Sequence, residues 1–421
     1  MILFSWTYPS KLWAQSTPFQ KEVERSLESV KLDVNKDSFE AFIWKASPTV
    51  QALLTEVGIT HADLVLSIQA ENPSLGGELR TGDALTQRPF EVNVAQDISS
   101  LLFLGSRRKP FHTTVRAKTL EIASKLFVFI QEAKAVHLEA TTQDAIVSLL
   151  QQQIEQTQIA TNLTQKQREA GNISVLDEKR QEDLLDEEHM MLSRALQERQ
   201  SAWNILKVHL GVEDLPQNIF THQREPRLPS NLTKEELISM AKNKRLDLSA
   251  LSLEKKGQSQ LANSASLRWI PRIELDFHAQ REPEGILTYG PGLQVEIPMF
   301  NRNQSLATKA KLRKKQIEFQ EQELQNNLLN EVDVLWANLA QQQEMLSRLE
   351  LRIIPRKQIM LEETLRFYNF MLKGVYDLLE LRKDLLHSQV ERLRLKKDVS
   401  LTTLKLEQAA GVRFATQGDP Q

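Results

Sequence analysis

The stretch Gly290–Ala340, GPGLQVEIPMFNRNQSLATKAKLRKKQIEFQEQELQNNLLNEVDVLWANLA, decides the fold, because two different periodicities follow one another in it. Its first part alternates apolar and polar side chains, as a strand with one apolar face does, at Leu293, Gln294, Val295, Glu296 and Ile297. Its second part continues to residue 353 and forms a stripe at steps of three and four: Ile317, Glu321, Leu324, Leu328, Glu331, Leu335, Leu339, Gln342, Leu346, Leu349 and Ile353. A narrow stripe over several heptads indicates a coiled-coil helix. We therefore predict a strand that leads into a very long helix.

The same order of patterns occurs twice along the chain. A short helical stretch begins near Ser47 and another near Arg245, and each ends in a proline that opens a strand. Landmarks recur in the same order at offsets of 198, 203, 203 and 200 residues: Pro73 and Pro271, Val92 and Val295, Gly171 and Gly374, and Gly211 and Gly411. Chance similarity between helical sequences does not explain such an order, so we predict an internal duplication.

Each half is predicted to contain two long antiparallel helices. From about residue 99 to residue 170 the only glycine and the only proline are Gly105 and Pro110, so about 65 residues can stay helical over roughly 100 Å. We expect the chain to reverse at Gly171 and Gly374, because glycine permits the positive φ of a tight reversal. Pro355 should interrupt the second long helix, since proline lacks the N–H that the helix needs.

Each half also carries a predicted strand hairpin with one apolar and one polar face. We expect the apolar face to contact lipid through Val92, Val94, Ile273, Leu275, Phe277, Val295 and Ile297. We expect the polar face to contact water through Glu91, Asn93, Glu274, Asp276 and Glu296. A half-buried hairpin of a soluble protein shows the same alternation, so this pattern alone does not establish a membrane location.

Composition excludes several classes of site. There is no cysteine, which excludes disulfides, thiolate metal sites and a cysteine nucleophile. The net charge of −2 provides no basic field for nucleic acid. None of the eight histidines lies at metal-ligand spacing from another, and no phosphate-binding loop or GxSxG motif occurs. We predict no catalytic residue, no cofactor and no metal site, and hence no enzyme. No apolar run reaches the roughly 18 residues of a spanning helix, so strands would have to span a membrane.

Five phrases carry a resemblance to a known family: NPSL (Asn72–Leu75), VAQDI (Val94–Ile98), GPGLQVEIPMFNRNQS (Gly290–Ser305), KGVYDLLELRKDLL (Lys373–Leu386) and AGV (Ala410–Val412). With them the sequence resembles the TolC-like outer-membrane factor family of tripartite efflux and type I secretion, over about residues 38–412. The phrases IPMFNRNQ and NPSL are most similar to the CzcC-like heavy-metal efflux branch.

The resemblance implies a mainly α fold with a small β part. In it, two internal repeats form long antiparallel coiled-coil helical hairpins of a periplasmic α-barrel. Four strands per chain contribute to a trimeric twelve-strand outer-membrane β-barrel. An independent argument favours association, because four strands are too few to close a barrel and open sheet edges in lipid leave backbone groups unsatisfied.

The resemblance also implies a function and its partners. The chain would be a passive duct in the outer membrane of a Gram-negative-type cell, with a long periplasmic extension. It would conduct substrates exported by an inner-membrane pump, metal cations among them. Its partners would be two further copies in a homotrimer, a periplasmic adaptor, the pump and outer-membrane lipid, but not nucleic acid. The alternative is a soluble periplasmic coiled-coil adaptor or scaffold, which would not explain the repeated strand hairpins.

The predicted segments are residues 1–16 as a signal-peptide remnant, 17–70 as an N-terminal segment with the first short helix, 71–98 as barrel hairpin 1, 99–212 as long helical hairpin 1, 213–236 as a linker, 237–268 as the short helix of repeat 2, 269–300 as barrel hairpin 2, 301–412 as long helical hairpin 2 and 413–421 as a tail. Residues 1–16 have an apolar stretch but no basic start. An eroded signal peptide and an ordinary N-terminal tail therefore both stay open.

Two groups of candidate functional residues follow. The hairpin ends, expected to contact the adaptor, carry Gly171, Asn172, Ile173, Gly374, Val375 and Tyr376. The resemblance places a constriction just past the second reversal, where the candidates are Asp377, Glu380, Lys383 and Asp384. Threefold symmetry would turn each acidic position into a ring that attracts cations, and Lys383 is expected to pair with Glu380 or Asp384. A solvated outer stripe is the alternative for this group.

Overall fold

The computed structural model describes residues 39–69, 71–79, 90–99, 104–215, 228–229, 232–266, 272–282, 285–297, 299–300, 304–370 and 372–414. The predicted signal-peptide remnant 1–16 lies outside these residues, as does most of the predicted C-terminal tail. The fold is mainly α with one small sheet, as predicted.

The two halves contain the same elements in the same order. The first half has α1 (Phe39–Ala46), α2 (Pro48–Ile68), β1 (Ser74–Leu79), β2 (Phe90–Asp97), α3 (Leu104–Glu169) and α4 (Val175–Leu210). The second half has α5 (Lys234–Lys244), α6 (Leu246–Ser266), β3 (Arg272–Arg281), β4 (Leu287–Glu296), α7 (Gln304–Arg348), a π-helical segment (Leu349–Ile353), α8 (Ile354–Asn369) and α9 (Val375–Ala410). A capping box between Thr233 and Glu236 starts α5.

The duplication extends to the lengths of the helices. Helices α2 and α6 have 21 residues each, and α4 and α9 have 36 each. The 66-residue helix α3 starts and ends 200 residues before the start of α7 and the end of α8. This constant offset corrects the sequence alignment of Gly171 with Gly374 at an offset of 203. The structural equivalent of Gly374 is Ser174, and each is the N-cap of its return helix.

The long helix of the second half is interrupted just before Pro355, as predicted. The N–H of Ile354 donates to the carbonyl of Leu349 five residues earlier, which is the hydrogen bond of a π-helix. Proline has no N–H, and its ring clashes with the carbonyl four residues before it. Shifting the hydrogen bonds by one residue relieves this clash. Helix α3, which has no proline after Pro110, continues without a break.

One antiparallel sheet in the order β1-β2-β3-β4 joins the strand hairpins of the two halves. The central pairing sets Val94 of β2 opposite Phe277 of β3. Both hairpin turns lie at one end of the sheet, because β1 pairs with β2 and β3 with β4. All connections to the helices therefore leave from the opposite end.

The chain forms two compact units. The first contains Leu53–Ser124 and Leu246–Asn326 and includes the sheet, and the second contains Lys125–Arg245 and Asn327–Gln421 with part of the N-terminal region. In the first unit α6 packs closely on α3 at Gly257, where an added Cβ would lie 2.9 Å from Oγ1 of Thr114.

In the second unit, three helices share one apolar core. It contains Ile146, Val147 and Leu150 of α3, Ala195 of α4 and Leu386 of α9. Helices α3 and α4 are antiparallel, since Gln181 of α4 donates to Thr161 and Arg199, one helix length further on, contacts Asp144.

The return helices end in the same way in both halves. Gly211 and Gly411 follow α4 and α9 with φ of 69° and 65°, the left-handed conformation of a helix C-cap. A Cβ at Gly411 would lie 3.0 Å from the Cα of Arg245. Glycine is therefore required there by both backbone conformation and space.

We expect Gly411→Ala to lower the free energy of unfolding by about 1–2 kcal/mol, because a non-glycine residue in the left-handed region is strained by that amount. Thermal unfolding of the purified protein measures the effect. Gly374→Ser is the matched control, since Gly374 has an ordinary φ of −83° and Ser174 caps the equivalent helix. A melting temperature for Gly411→Ala equal to that of Gly374→Ser would contradict the prediction.

Candidate functional site

The register of the sheet gathers the predicted apolar residues on one face. Directly opposite residues of antiparallel strands point to the same side, and the pairings align Val92, Val94, Ile273, Leu275, Phe277 and Val295 in this way. Ile297 follows the last residue of β4 and is exposed. The same face carries further apolar residues that the sequence analysis did not assign: Leu75, Leu79, Phe90, Leu287, Tyr289 and Leu293.

This apolar face is uncovered in the described part of the chain. Leu75, Tyr289 and Leu293 are 77%, 72% and 66% exposed, and Phe277 in the middle of the sheet is 52% exposed. Soluble monomers rarely leave so large a contiguous apolar surface open. The face therefore requires an apolar environment or a partner.

The opposite face of the sheet is polar and carries the predicted water-facing residues Glu91, Asn93, Glu274, Asp276 and Glu296. Glycines on neighbouring strands make room for their side chains. A Cβ at Gly76 would lie 2.1 Å from Oδ1 of Asn93, and a Cβ at Gly292 would lie 2.4 Å from the carboxylate of Asp276. The glycines of the first hairpin thus have a packing reason.

Two searches of the described residues gave negative results. No three His, Asp or Glu side chains are arranged to hold a metal ion. No described helix has an apolar stretch long enough to cross a membrane.

The first hairpin end is a tight reversal at Gly171, which has φ of +78° as predicted. The N–H of Asn172 donates to the carbonyl of Gln167 at 2.8 Å, which closes the last turn of α3. The Oγ of Ser174 then accepts the N–H of Asp177 at 3.1 Å and caps α4. Asn172 is exposed and Ile173 is half-buried.

The second hairpin end is built differently. Gly374 does not use positive φ, so the prediction for this glycine is wrong: it is an extended N-cap whose N–H donates to Oδ2 of Asp377 at 3.3 Å. Val375 begins α9. The ring of Tyr376 lies 4.5 Å from the guanidinium carbon of Arg180 on α4, which is a cation–π contact between the two hairpin ends.

The four constriction candidates have separate surroundings. Lys383 bonds to the carboxylate of Glu187 on α4, so the predicted pairing with Glu380 or Asp384 is wrong. Asp384 instead lies 3.6 Å from Nζ of Lys357 on α8, and Asp377 lies 3.5 Å from Nζ of Lys373. Glu380 is exposed and forms no ion pair within the described residues.

The sequence analysis missed the groups of α3 and α4 that hold the start of α9. Arg382 donates to Oε1 of Gln156 on α3 at 3.1 Å, beside the contact of Lys383 with Glu187. Burial lowers the pKa of the Arg382 guanidinium, and the nearby carboxylate of Glu188 opposes that shift. No spacing within α9 indicates these partners, because they depend on how three helices pack.

A buried carboxylate lies near the other end of α9. Glu407 is 5% exposed, and it accepts the N–H of Phe414 at 3.0 Å and the Nε2 of Gln131 at 3.2 Å. Burial raises the pKa of this carboxyl above its usual range, although these hydrogen bonds oppose the shift. The folded state therefore binds this proton more tightly than the unfolded state does, and stability falls as pH rises through the raised pKa.

We expect Glu407→Gln to remove this fall and to stabilise the protein by about 1 kcal/mol near pH 8. Oε1 of Gln131 has no hydrogen-bond partner, and a glutamine at 407 can donate to it. Melting temperatures measured from pH 5 to pH 8 check the prediction, with exposed Glu391→Gln on the same helix as the control. A variant that is less stable than the parent at every pH would contradict it.

No protein family model matches the sequence, and no curated protein matches it. Solved structures do match. CusC, described with its transmembrane channel formation, superimposes with a TM-score of 0.70 at 16% identity, over 88% of this chain and 91% of that chain. The Campylobacter jejuni CmeC outer membrane channel gives 0.71 at 14% identity, over 95% and 89%. The outer membrane protein VceC from Vibrio cholerae gives 0.68 at 14% identity, over 97% and 100%.

At such identities the likeness establishes the fold, and it extends over nearly the full length of each of these chains. The duplicated helices, the four-stranded sheet and the two hairpin reversals all fall within the matched region. This chain therefore has the TolC-like fold of outer-membrane channels.

Proposed function

We propose that this chain is one protomer of an outer-membrane duct of a tripartite efflux or type I secretion system, and that it has no catalytic activity of its own. The observation that carries the proposal is the uncovered apolar face of the four-stranded sheet, opposite a face of carboxylates and amides. A wall between lipid and a water-filled lumen needs this division. The likeness to CusC and CmeC channels supports the same function.

The open edges of the sheet support a homotrimer. Strands β1 and β4 each have one neighbour in the chain, so each has a row of backbone groups free to pair with another copy. In lipid these groups must be satisfied, and three copies would close a twelve-strand barrel. Native mass spectrometry in detergent should give three times the 48.3 kDa of the chain. A monomer that stays soluble without detergent would instead favour a scaffold protein.

The hairpin ends are the proposed contact with a periplasmic adaptor, which in turn would join the inner-membrane pump. Besides the predicted residues, they expose the apolar side chains of Val175, Leu176, Phe370, Leu372 and Tyr376. Photo-crosslinkers at Asn172 and Val375 should capture the adaptor. A crosslinker at Lys166, on α3 before the reversal, is the control. Failure to capture from both hairpin ends would place the adaptor elsewhere.

We expect Glu380→Gln to lower the preference for cations and to weaken block by multivalent cations in reconstituted bilayers. Glu380 has no ion pair, whereas Lys383, Asp377 and Asp384 are each engaged. A ring of three uncompensated carboxylates would attract cations in a confined neck. Heavy-metal cations are accordingly the proposed substrates. Reversal potentials in a salt gradient measure the selectivity.

The matched control is Glu391→Gln, which removes an exposed carboxylate further along α9. Selectivity and block that are the same in Glu380→Gln as in the parent would place Glu380 outside the narrow part of the channel.

A further inference from the structure

The first turns of α3 and α7 are basic, although the chain as a whole has 53 Lys or Arg against 55 Asp or Glu. Between Asp97 and Glu121 the sequence has five Lys or Arg and no acidic residue. Between Glu296 and Glu318 it has six Lys or Arg and no acidic residue. We refer to residues 104–120 of α3 and 304–317 of α7 as the basic helix starts.

The basic helix starts occupy equivalent positions in the two halves. Both belong to the unit that contains the sheet, and they follow β2 and β4 at the end of the sheet away from the hairpin turns. Lys109 and Lys309 are each the sixth residue of their helix, which is about 8 Å along the axis. That distance is comparable to the thickness of a headgroup region.

Three lysines of these segments are not neutralised by the chain. Lys109, Lys309 and Lys311 are exposed and form no ion pair among the described residues. By contrast, Arg313 lies 3.3 Å from Glu254, and Lys118 lies 3.4 Å from Glu56. The free lysines thus give this end of the first unit a local positive charge.

Apolar side chains lie among the lysines. Leu312 is 64% exposed, Phe111 is 39% exposed, and Phe300 in the connection from β4 is 89% exposed. An open groove of about 660 Å³ at the start of α7 is lined by Gln304, Ser305, Thr308, Lys309, Leu312 and Arg313. Cations and amide or hydroxyl donors beside an apolar side chain suit a phosphate at an apolar boundary.

We propose that the basic helix starts bind the headgroups of anionic phospholipids, in the leaflet that faces the helices, through Lys109, Lys309 and Lys311. The inference rests on the proposed function, which places the sheet in a bilayer. Charge complementarity and continuity with the exposed apolar face of the sheet favour lipid as the occupant. Basic residues next to a membrane-spanning segment attract anionic lipid by about 1 kcal/mol each.

Spin-labelled lipids test the proposal on the full-length assembly in phosphatidylcholine bilayers. The probes are spin-labelled phosphatidylglycerol and spin-labelled phosphatidylcholine, whose association with the protein is compared by electron paramagnetic resonance. For the parent we expect phosphatidylglycerol to be preferred about fivefold, the factor that corresponds to one lysine–headgroup contact. The triple variant Lys109→Gln, Lys309→Gln, Lys311→Gln should show nearly equal association of the two lipids, and so should the parent at about 1 M salt.

The control variant Lys45→Gln, Lys166→Gln, Lys405→Gln removes the same charge from exposed lysines of the second unit and should keep the preference. Equal association of both lipids with the parent, or a preference that the triple variant retains, would overturn the proposal, for instance because a neighbouring copy neutralises these lysines. The absence of any motionally restricted lipid in all samples would instead contradict the proposed membrane location itself.

Discussion

Phe277→Arg should abolish stable insertion of the protein into lipid bilayers. Phe277 lies in the middle of β3, between Val94 of β2 and Pro291 of β4, on the uncovered apolar face of the sheet. An arginine facing lipid near the bilayer midplane costs about 2–4 kcal/mol per chain, and a trimer would carry three. Flotation of the refolded protein with phospholipid vesicles measures insertion.

His278→Arg is the matched control, because residue 278 is next in the strand and belongs to the polar face, opposite Asn93. It should float with vesicles as the parent does. If Phe277→Arg floats as efficiently as His278→Arg, then the apolar face does not contact lipid. A further copy or another protein would have to cover it.

Leu386→Asp should prevent the second unit from folding. Leu386 is 2% exposed and joins α9 to both α3 and α4 in the shared core. Losing a buried leucine costs about 2–5 kcal/mol, and a buried carboxylate without a partner adds several more. Thermal unfolding and protease resistance of α4 and α9 report the loss.

The neighbouring His387→Asp provides the control, since His387 is exposed on the same helix. Leu386→Ala gives an intermediate case that should still fold, with a melting temperature below that of the parent. An unchanged melting temperature in Leu386→Ala would contradict the packing of α9 against α3 and α4.

Local periodicity explains why so much of the fold could be predicted from sequence. Alternation along β3 and β4 determines which residues share a face, and the register then extends that face across the sheet. The long stripe of α7 and the scarcity of glycine and proline in α3 determine the helix lengths. Pro355 interrupts its helix for a reason that is local to the backbone.

The details of the candidate site could not be predicted in the same way. Gly374 was aligned with Gly171 because both are glycines, whereas the structure gives Gly374 the capping position of Ser174. Lys383 finds its partner, Glu187, on another helix nearly 200 residues earlier. Such contacts depend on how α9 packs beside α4, which no spacing within one helix encodes.

Conductance of the purified full-length protein in planar lipid bilayers tests the proposed duct most directly. The account predicts discrete conductance steps for the parent and for His278→Arg, with cations preferred over anions, and no steps for Phe277→Arg. A parent protein that needs no detergent, sediments as a monomer of 48.3 kDa and gives no conductance steps would contradict it.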